Sequence, residues 1–249
     1  MKTYSFACGS GTVELPLDEK NVIGELHGNA VAPLADIRAA LWASLDAPID
    51  SAPLCERARA GDTVALVVSD MTRFWMRQDL VVPHLVDYLT ERCGVREEDI
   101  TIVIANGTHI GGDEQELRTL VTDAVYDHVK VKNHDCEAKD LVYLGTTPHG
   151  TPVSIDRTAA EADLVVCLGA VTHHVMAGFG GGRKSILPGI CAEKTVNENH
   201  SFKAISSPWA KTGVLEHNPI HEDMIAAARR VNVQFILNVA LGEKKNVVA

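Results

Sequence analysis

The chain has 249 residues, of which 46% are hydrophobic and 22% charged, a balance typical of one large or two small globular domains. Its 23 basic and 33 acidic side chains leave a net charge of −10, which argues against a nucleic-acid partner because such proteins carry a basic excess. No apolar run approaches the roughly 18 residues that span a bilayer, and the N-terminus lacks the apolar segment of a secretory signal. We therefore expect a cytoplasmic protein with no membrane partner, whose oligomeric state the sequence leaves open.

The six cysteines are scattered along the chain and form no C-x-x-C pair. A chain of this length buries a core large enough to fold without cross-links, so we expect reduced thiols. The cysteines are Cys8, Cys55, Cys93, Cys136, Cys167 and Cys191.

The first sixty residues contain weak strand signals followed by one helix. Short apolar alternations at Thr12–Leu15 and Val22–Leu26 predict a β-hairpin or a small mixed sheet. Asp36 precedes an apolar stripe with helical spacing, so it is predicted to cap a helix that runs through about Leu45.

After residue 60, apolar runs typical of buried strands alternate with segments of helical periodicity. Strands are predicted at Thr63–Ser69, Ile100–Ala105, Val129–Lys132, Leu164–Leu168 and Phe235–Leu241. Helices are predicted over Leu80–Cys93, after a cap at Asp113, and from about Ala192. This order predicts an α/β fold, a doubly wound and mainly parallel sheet flanked by helices, with a small β-hairpin region at the N-terminus.

The last residues resemble the beginning of a strand pair. Gly242–Asn246 has the composition of a hairpin turn, and Val247–Ala249 reads as the start of a returning strand. We therefore expect the chain to be part of a longer protein.

Three loops that follow predicted strands carry polar groups suited to chemistry. They are Asp70-x-Thr72-Arg73, Gly107-Thr108-His109, and the segment from His173-His174 to Lys184. Because parallel strands place their carboxyl ends along one edge of a sheet, these loops are expected to meet in a crevice.

Each group has a functional and a structural interpretation. Arg73 and Thr72 suit a phosphate or carboxylate, and Asp70 can accept a hydrogen bond from a ribose or orient Arg73; alternatively they are turn and cap residues with a solvated arginine. His109 and His174 can act as paired general bases, since imidazole exchanges protons near neutral pH. Either can instead be a structural or surface histidine.

The glycine-rich segment Gly178–Ser185 nearly matches the phosphate loop G-x-x-x-x-G-K-[ST]. Arg183 replaces the last glycine of that motif, and Pro188 interrupts the helix that should follow, so the match is poor. Lys184 can serve instead as a covalent attachment point if its amine becomes neutral. His200 follows a predicted helix and is either a metal ligand or a surface histidine.

Taken together, these loops resemble the lactate racemase family, the nickel-pincer-nucleotide enzymes. The resemblance covers roughly residues 10 to 249, the amino-terminal part of that family's chain. The family's motifs occur in order: D-x-T-R from Asp70, G-T-H from Gly107, H-x-x-A-G-F-x-G-G-R-K from His174 and N-x-N-H from Asn197. Residues 1–249 are thus expected to form the N-terminal catalytic and cofactor-binding domain, with the family's C-terminal domain outside the chain.

The resemblance implies a covalently held cofactor. Lys184 would form a thioamide to nickel pyridinium-3,5-bisthiocarboxylic acid mononucleotide, the nickel-pincer nucleotide, and His200 would ligate its nickel. His109 and His174 would be the paired acid/base residues. The cofactor would be lined by the first loop, Asp70, Met71, Thr72 and Arg73. Phe179 or another apolar side chain would pack nearby, and the glycines would let the backbone approach the cofactor.

The implied reaction is racemisation or epimerisation of a small-molecule 2-hydroxy acid, lactate or a relative, by hydride shuttling to the cofactor between two proton transfers at histidine. Cofactor-synthesis proteins would be partners for loading. The chain departs from the family pattern at His173, Gly180, Phe74 and Trp75, which puts lactate itself in question as the substrate. Two alternatives are a phosphate- or nucleotide-binding transferase that uses the glycine loop, and a non-catalytic nucleotide- or metal-binding module.

Overall fold

The computed structural model describes all residues from Met1 to Ala249 and divides into two compact units, residues 1–31 and 32–249. The first unit is an antiparallel hairpin of β1 (Lys2–Cys8) and β2 (Gly11–Leu17), in which Lys2 pairs with Leu17. The predicted N-terminal hairpin region is therefore confirmed. The prediction of a second strand at Val22–Leu26 is wrong, because no strand forms there. The partner of β2 is β1, which comes before β2 in the chain and is joined to it by a tight turn at Gly9.

The second unit is built on five strands and nine helices. The strands are β3 (Val64–Ser69), β4 (Ile100–Ala105), β5 (Lys130–Asn133), β8 (Leu164–Ala170) and β11 (Val233–Val239). Two small hairpins add β6 (Val142–Thr146) with β7 (Pro152–Ile155), and β9 (His173–His174) with β10 (Gly178–Phe179). The helices are α1 (Ile37–Asp46), α2 (Leu54–Arg57), α3 (Val82–Asp87), α4 (Glu114–Val121), α5 (Asp123–Tyr126), α6 (Arg157–Glu161), α7 (Glu193–Asn199), α8 (Phe202–Ile205) and α9 (Pro219–Ala228).

The five-stranded sheet is parallel throughout and has the order β11-β8-β3-β4-β5. This confirms the predicted doubly wound α/β fold. The chain runs outward from β3 through β4 to β5 and then returns to the other side of β3 with β8. The strand order thus reverses between β3 and β8, and ligands of such sheets bind at the carboxyl ends of the strands beside that reversal.

Burial on both faces explains why the central strands are continuous apolar runs rather than alternating ones. In β3, Leu66 and Val68 face one hydrophobic cluster, whereas Ala65 and Val67 face a second cluster on the opposite side of the sheet. Each fully buried aliphatic side chain contributes about 1.5–3 kcal/mol to folding. The two cores hold the strand ends, and therefore the loops that follow them, in fixed positions.

The predicted helices are present in the structure, but their first and last residues differ from the prediction. Asp36 and Asp113 cap α1 and α4, accepting hydrogen bonds from the backbone three residues on at 2.9 Å. The segment predicted as Leu80–Cys93 is helical but irregular, with α3 preceded by a 3₁₀ turn and followed by a π turn that ends at Arg92. The hairpin β6–β7 and helix α9 were not anticipated.

Two further features of this unit bear on the sequence expectations. The expectation of six reduced cysteines is wrong, because Cys55 of α2 and Cys93 after the π turn form a disulfide. Their Cα atoms are 4.7 Å apart, within the range that a disulfide requires. No helix combines the length and apolar character that crossing a membrane would need.

An ion pair with a buried carboxylate ties β5 to the start of α6. Asp156 caps α6 and accepts hydrogen bonds from Lys132 Nζ at 3.0 and 3.1 Å and from the Thr158 amide at 2.9 Å. His134 lies 3.4 Å from the same carboxylate and 3.0 Å from the Cys191 carbonyl. Although burial alone raises the pKa of Asp156, the hydrogen bonds from His134 and Lys132 outweigh it and hold that pKa below its ordinary 3.8.

Candidate active site

A cavity of about 330 Å³ opens where β3, β4 and β8 end, beside the reversal in strand order. Its wall includes polar residues from each of the three loops, among them Asp70 after β3, His109 after β4 and His174 after β8. The predicted convergence of these loops is confirmed. Lys184 and His200 also line this cavity, so residues up to 130 positions apart in sequence share one site.

The loop after β3 turns immediately into a 3₁₀ helix, Met71–Met76, which decides where each side chain points. Asp70 and Arg73 line the cavity. Met71 packs against the hydrophobic core instead, and Thr72 is exposed and outside the cavity wall. The structure thus places only two of the four residues of this loop at the site.

Asp70 is a buried carboxylate at the centre of a polar chain. It accepts a hydrogen bond from the Thr72 hydroxyl at 2.7 Å, and that hydroxyl accepts one from Arg73 at 2.8 Å. Its other oxygen lies 2.5 Å from His109 Nδ1. The carboxylate orients the imidazole and leaves His109 Nε2 free; the ring is half exposed.

His174 and Lys184 form the second polar pair. The Lys184 Nζ lies 3.1 Å from His174 Nε2, and the amides of Met176 and Ala177 donate to His174 Nδ1 at 3.4 and 3.1 Å. Burial, and then the positive charges of Lys184 and Arg73, lower the pKa of His174 from 6.5 to about 4. Burial, and then the charges of Arg183 and Arg73, lower the pKa of Lys184 from 10.5 to about 8. Lys184 therefore reaches its neutral, nucleophilic form near physiological pH.

Arg183 fixes the shape of the glycine loop from within. Its guanidinium donates to the carbonyls of Ala177 and Phe179 at 2.9 Å and to those of Gly180 and Gly181 at 3.3 and 3.5 Å. The sequence showed this residue only as a departure from the phosphate-loop motif. Because four backbone acceptors converge on one planar fork, the arginine holds the loop that presents Lys184.

The glycines serve close packing of the loop against the protein, rather than only access to the cavity as the resemblance implied. Gly181 has φ +80°, and a Cβ there would come within 2.7 Å of Asn238 Oδ1 on β11. A Cβ at Gly178, where φ is +77°, would collide with the Val214 carbonyl. A larger residue at either position would push the loop away from its supports.

His200 ends α7 with its free nitrogen available. Nδ1 donates to the Val196 carbonyl at 3.2 Å, so Nε2 carries the lone pair, the usual arrangement of a metal-binding histidine. Burial lowers the pKa of His200, which favours the neutral ligand form. The preceding Asn199 donates to buried Asp223 at 2.9 Å, and this bond anchors the end of the helix.

The candidate metal ligands of this cavity suit a metal ion that is already held by an organic cofactor. No group of three or more His, Cys, Asp or Glu side chains is placed to hold a metal ion by protein ligands alone. A single oriented imidazole beside an activated lysine fits a tethered group that brings its own remaining ligands. The wall also holds Asn106, 2% exposed, whose Oδ1 accepts no hydrogen bond from the protein. That buried acceptor is a polar group for a ligand to satisfy.

Several wall residues were missed by sequence reasoning. The cavity wall also includes four apolar side chains, Trp75, Met76, Met176 and Val196. Asn106 had one available signal, its position directly after a strand. Trp75 was noted only as a departure from the family pattern, and the other three apolar residues had no signal. Phe179, expected near the cofactor, lies outside the wall and stacks on His173 with ring centroids 5.1 Å apart.

Comparison with known proteins identifies the family. A family model, the lactate racemase N-terminal domain, matches residues 8–213, most of the chain. The chain belongs to the lactate racemase N-terminal domain family. A lactate racemase of Lactiplantibacillus plantarum is 36% identical over 241 residues, which cover 95% of this chain and 56% of that protein. A lactate racemase of Thermoanaerobacterium thermosaccharolyticum is 36% identical over 206 residues, covering 82% and 48%. The chain thus spans about half the length of these curated relatives.

Solved structures agree with the fold. The lactate racemase apoprotein from Thermoanaerobacterium thermosaccharolyticum superposes with a TM-score of 0.87 at 31% identity, over 99% of this chain and 58% of that one. A protein from Thermotoga maritima superposes with a TM-score of 0.66 at 20% identity, over 85% and 52%, and supports the fold alone. The resemblance of this domain to the family, inferred from its loop motifs, is therefore confirmed.

Proposed function

We propose that this domain is the cofactor-bearing part of a racemase or epimerase that acts on a 2-hydroxy acid, lactate or a relative. The observation that carries the proposal is the meeting of His109, His174, Lys184 and His200 at one cavity beside the strand-order reversal. The named relatives are lactate racemases, which supports the same reaction class.

The cofactor that fits these residues is the nickel-pincer nucleotide. Lys184 would tether it through its neutral amine, and His200 Nε2 would ligate its nickel. When bound, this cofactor supplies the hydride acceptor of the reaction. Asn106, with its unsatisfied Oδ1, and the apolar wall at Trp75 would hold the remainder of the cofactor or the substrate.

The protein's own groups handle the proton and the carboxylate. His109 and His174 follow β4 and β8, which lie on opposite sides of β3 and hence about 10 Å apart in the sheet. They can meet the substrate hydroxyl from two directions and exchange its proton. Arg73 is the cation of the same cavity, and its planar fork suits the substrate carboxylate.

The alternative of a phosphate-binding transferase has less support. A phosphate loop needs free backbone amides, but the amides of Gly180, Gly182 and Lys184 donate to Thr172, Asn238 and Gly181. The segment Gly182–Ser185 is a single 3₁₀ turn rather than the start of a long helix. Nothing in the site favours the non-catalytic module over the enzyme.

The direct test is the mass of the natural full-length gene product, produced together with cofactor-synthesis proteins. We expect an adduct on wild-type protein that maps to Lys184, nickel in stoichiometric amount, and racemisation of a 2-hydroxy acid. Lys184→Ala should carry no adduct, whereas Lys194→Ala, which removes an exposed lysine of α7, should carry it fully. Absence of an adduct on wild-type protein prepared in this way would refute the cofactor assignment.

A further inference from the structure

A buried carboxylate that the proposed function does not use joins three parts of the fold. Asp223 of α9 is 3% exposed, and three neutral side chains donate hydrogen bonds to it. Thr147 and Thr151, the first and last residues between β6 and β7, donate through their hydroxyls at 2.5 and 2.7 Å. The third donor is the side-chain amide of Asn199 in α7, at 2.9 Å. Because a buried carboxylate is unfavourable unless hydrogen bonds replace its water, we expect these contacts to be maintained.

The orientation of this carboxylate does not depend on α7. The turn that holds it is closed by its own hydrogen bonds: the Thr147 amide donates to the Thr151 carbonyl at 2.9 Å, and the Thr151 amide donates to the Thr147 hydroxyl at 3.2 Å. The two threonine hydroxyls then donate to different oxygens of Asp223, one to Oδ1 and one to Oδ2. Asp223 therefore presents a fixed acceptor to the end of α7.

Asn199 uses its amide N–H groups to fix the last turn of α7. Its Nδ2 donates to Asp223 and, at 3.2 Å, to the Ile220 carbonyl at the start of α9. Asn199 is 2% exposed, so water does not compete for these hydrogen bonds. The first half of α7 has a separate anchor, because the buried Thr195 hydroxyl donates to the Pro152 carbonyl of β7 at 2.7 Å.

His200 follows this last turn directly and is attached to it. Its backbone amide and its Nδ1 both donate to the Val196 carbonyl, at 2.9 and 3.2 Å, so the imidazole is held by its own helix. The place of His200 Nε2 in the cavity is therefore decided by where the end of α7 lies. That end is held from outside the helix by the hydrogen bond between Asn199 and Asp223.

We propose that Asn199 and Asp223 are positioning residues for His200, and that their hydrogen bond sets how tightly His200 Nε2 holds the nickel of the cofactor. This inference rests on the proposed function and deepens it. A metal–ligand bond keeps its length within about 0.2 Å, so a last turn that can shift weakens the contact. Lys184 belongs to the glycine loop, which Arg183 holds separately, so the covalent tether should not depend on the pair. Nickel retention and cofactor attachment should therefore respond separately to loss of this hydrogen bond.

The retention of nickel tests this inference directly. The natural full-length product is loaded with the cofactor and incubated with EDTA. Elemental analysis then measures the nickel left on the protein, and peptide mass spectrometry measures the adduct on Lys184. Asn199→Ala should release nickel about tenfold faster than wild type, while its adduct stays at the wild-type level. Thr195→Val is the matched control, because it removes the buried hydroxyl that anchors the other half of α7. Its nickel should leave at the wild-type rate.

A second measurement needs no cofactor. In cofactor-free full-length protein, the backbone amides of residues 198–201 should exchange hydrogen about tenfold faster in Asn199→Ala than in wild type or in Thr195→Val. If Asn199→Ala does not fold, Asp223→Asn replaces it in both measurements. An amide has one acceptor oxygen where the carboxylate offers two to its three donors, so nickel loss and amide exchange should again be faster than in wild type.

The outcomes separate this inference from the proposed function. Wild-type rates of nickel loss or amide exchange in Asn199→Ala, or an equal acceleration in Thr195→Val, would overturn the positioning role. Wild-type protein that takes up no nickel would refute the proposed function and with it the role toward nickel. The exchange measurement would still decide whether the pair of Asn199 and Asp223 holds the end of α7.

Discussion

The most informative perturbation of this domain is Arg183→Lys, which keeps the charge and removes the planar fork. Of the four carbonyls that Arg183 contacts, those of Ala177 and Phe179 are bonded at 2.9 Å and the other two at 3.3 Å or more. A hydrogen bond from a charged donor contributes about 1.5–3 kcal/mol. A lysine ammonium is a compact charge without the planar fork, so it can keep roughly one of the two short hydrogen bonds. The expected loss in the free energy of unfolding is therefore about 2 kcal/mol.

That loss should appear both globally and at the loop. For a domain of this size, 2 kcal/mol corresponds to a decrease in Tm of about 4–8 °C. Because the lost bonds lie within residues 177–181, their amides should exchange hydrogen faster, and cofactor attachment at neighbouring Lys184 should slow. Denaturant unfolding and hydrogen exchange measure the two effects on the same sample.

Arg229→Lys is the matched control, since Arg229 is exposed and close to Arg183 in space but makes no hydrogen bond to the loop. It should change the unfolding free energy by less than about 0.5 kcal/mol. If Arg183→Lys unfolds with wild-type free energy and its loop amides exchange at the wild-type rate, then the carbonyl contacts do not hold the loop and the reasoning fails.

Three further predictions concern charge and protonation. Asp70→Asn should lower kcat by between 10² and 10⁴-fold in loaded enzyme, because an amide that donates to His109 reverses its tautomer, as in the corresponding substitution of a catalytic triad. Asp156→Asn should lower the free energy of unfolding by about 2 kcal/mol at pH 7, since the buried carboxylate loses its charged hydrogen bonds with Lys132. Because the pKa of Asp156 is depressed in the folded protein, this difference from wild type should be full above about pH 4 and should shrink as the pH falls further. Acylation of Lys184 in cofactor-free protein, followed by peptide mass spectrometry, should rise with a midpoint near pH 8 rather than 10.5.

Each of these predictions has a control or an outcome that would contradict it. Asp79→Asn removes a carboxylate paired with Arg77 on the same loop but outside the cavity, so kcat should be unchanged; an equal loss in both variants would mean that Asp70 acts only through folding. For Asp156, a stability difference independent of pH would show that its ionisation contributes nothing. For Lys184, an acylation profile identical to that of exposed Lys194 would contradict the lowered pKa.

The sheet and the identity of the site loops follow from the sequence because both depend on local signals. The apolar runs at β3, β4 and β8 predict buried strands, and strand alternation with helices predicts their parallel order. Polar residues placed directly after those strands then have to meet at one edge. Asp70, His109 and His174 were found in this way, and their meeting was confirmed.

The roles of individual side chains were decided by contacts between distant residues. Periodicity records whether a position is buried, but it does not record which way a loop turns. The 3₁₀ turn after β3 sends Met71 into the core and Arg73 into the cavity, although both belong to one motif. The disulfide between Cys55 and Cys93, which lie 38 residues apart, was mispredicted for the same reason.

The glycine loop shows most clearly what the sequence determines and what depends on the tertiary structure. Its composition by itself indicated that the backbone is unusual there and made Lys184 a candidate attachment point. Only the tertiary structure decided that Arg183 holds the loop through four carbonyls, that its glycines pack against β11 and Val214, and that backbone amides orient His174. Hydrogen bonds are directional, and their directions exist only once the chain has folded.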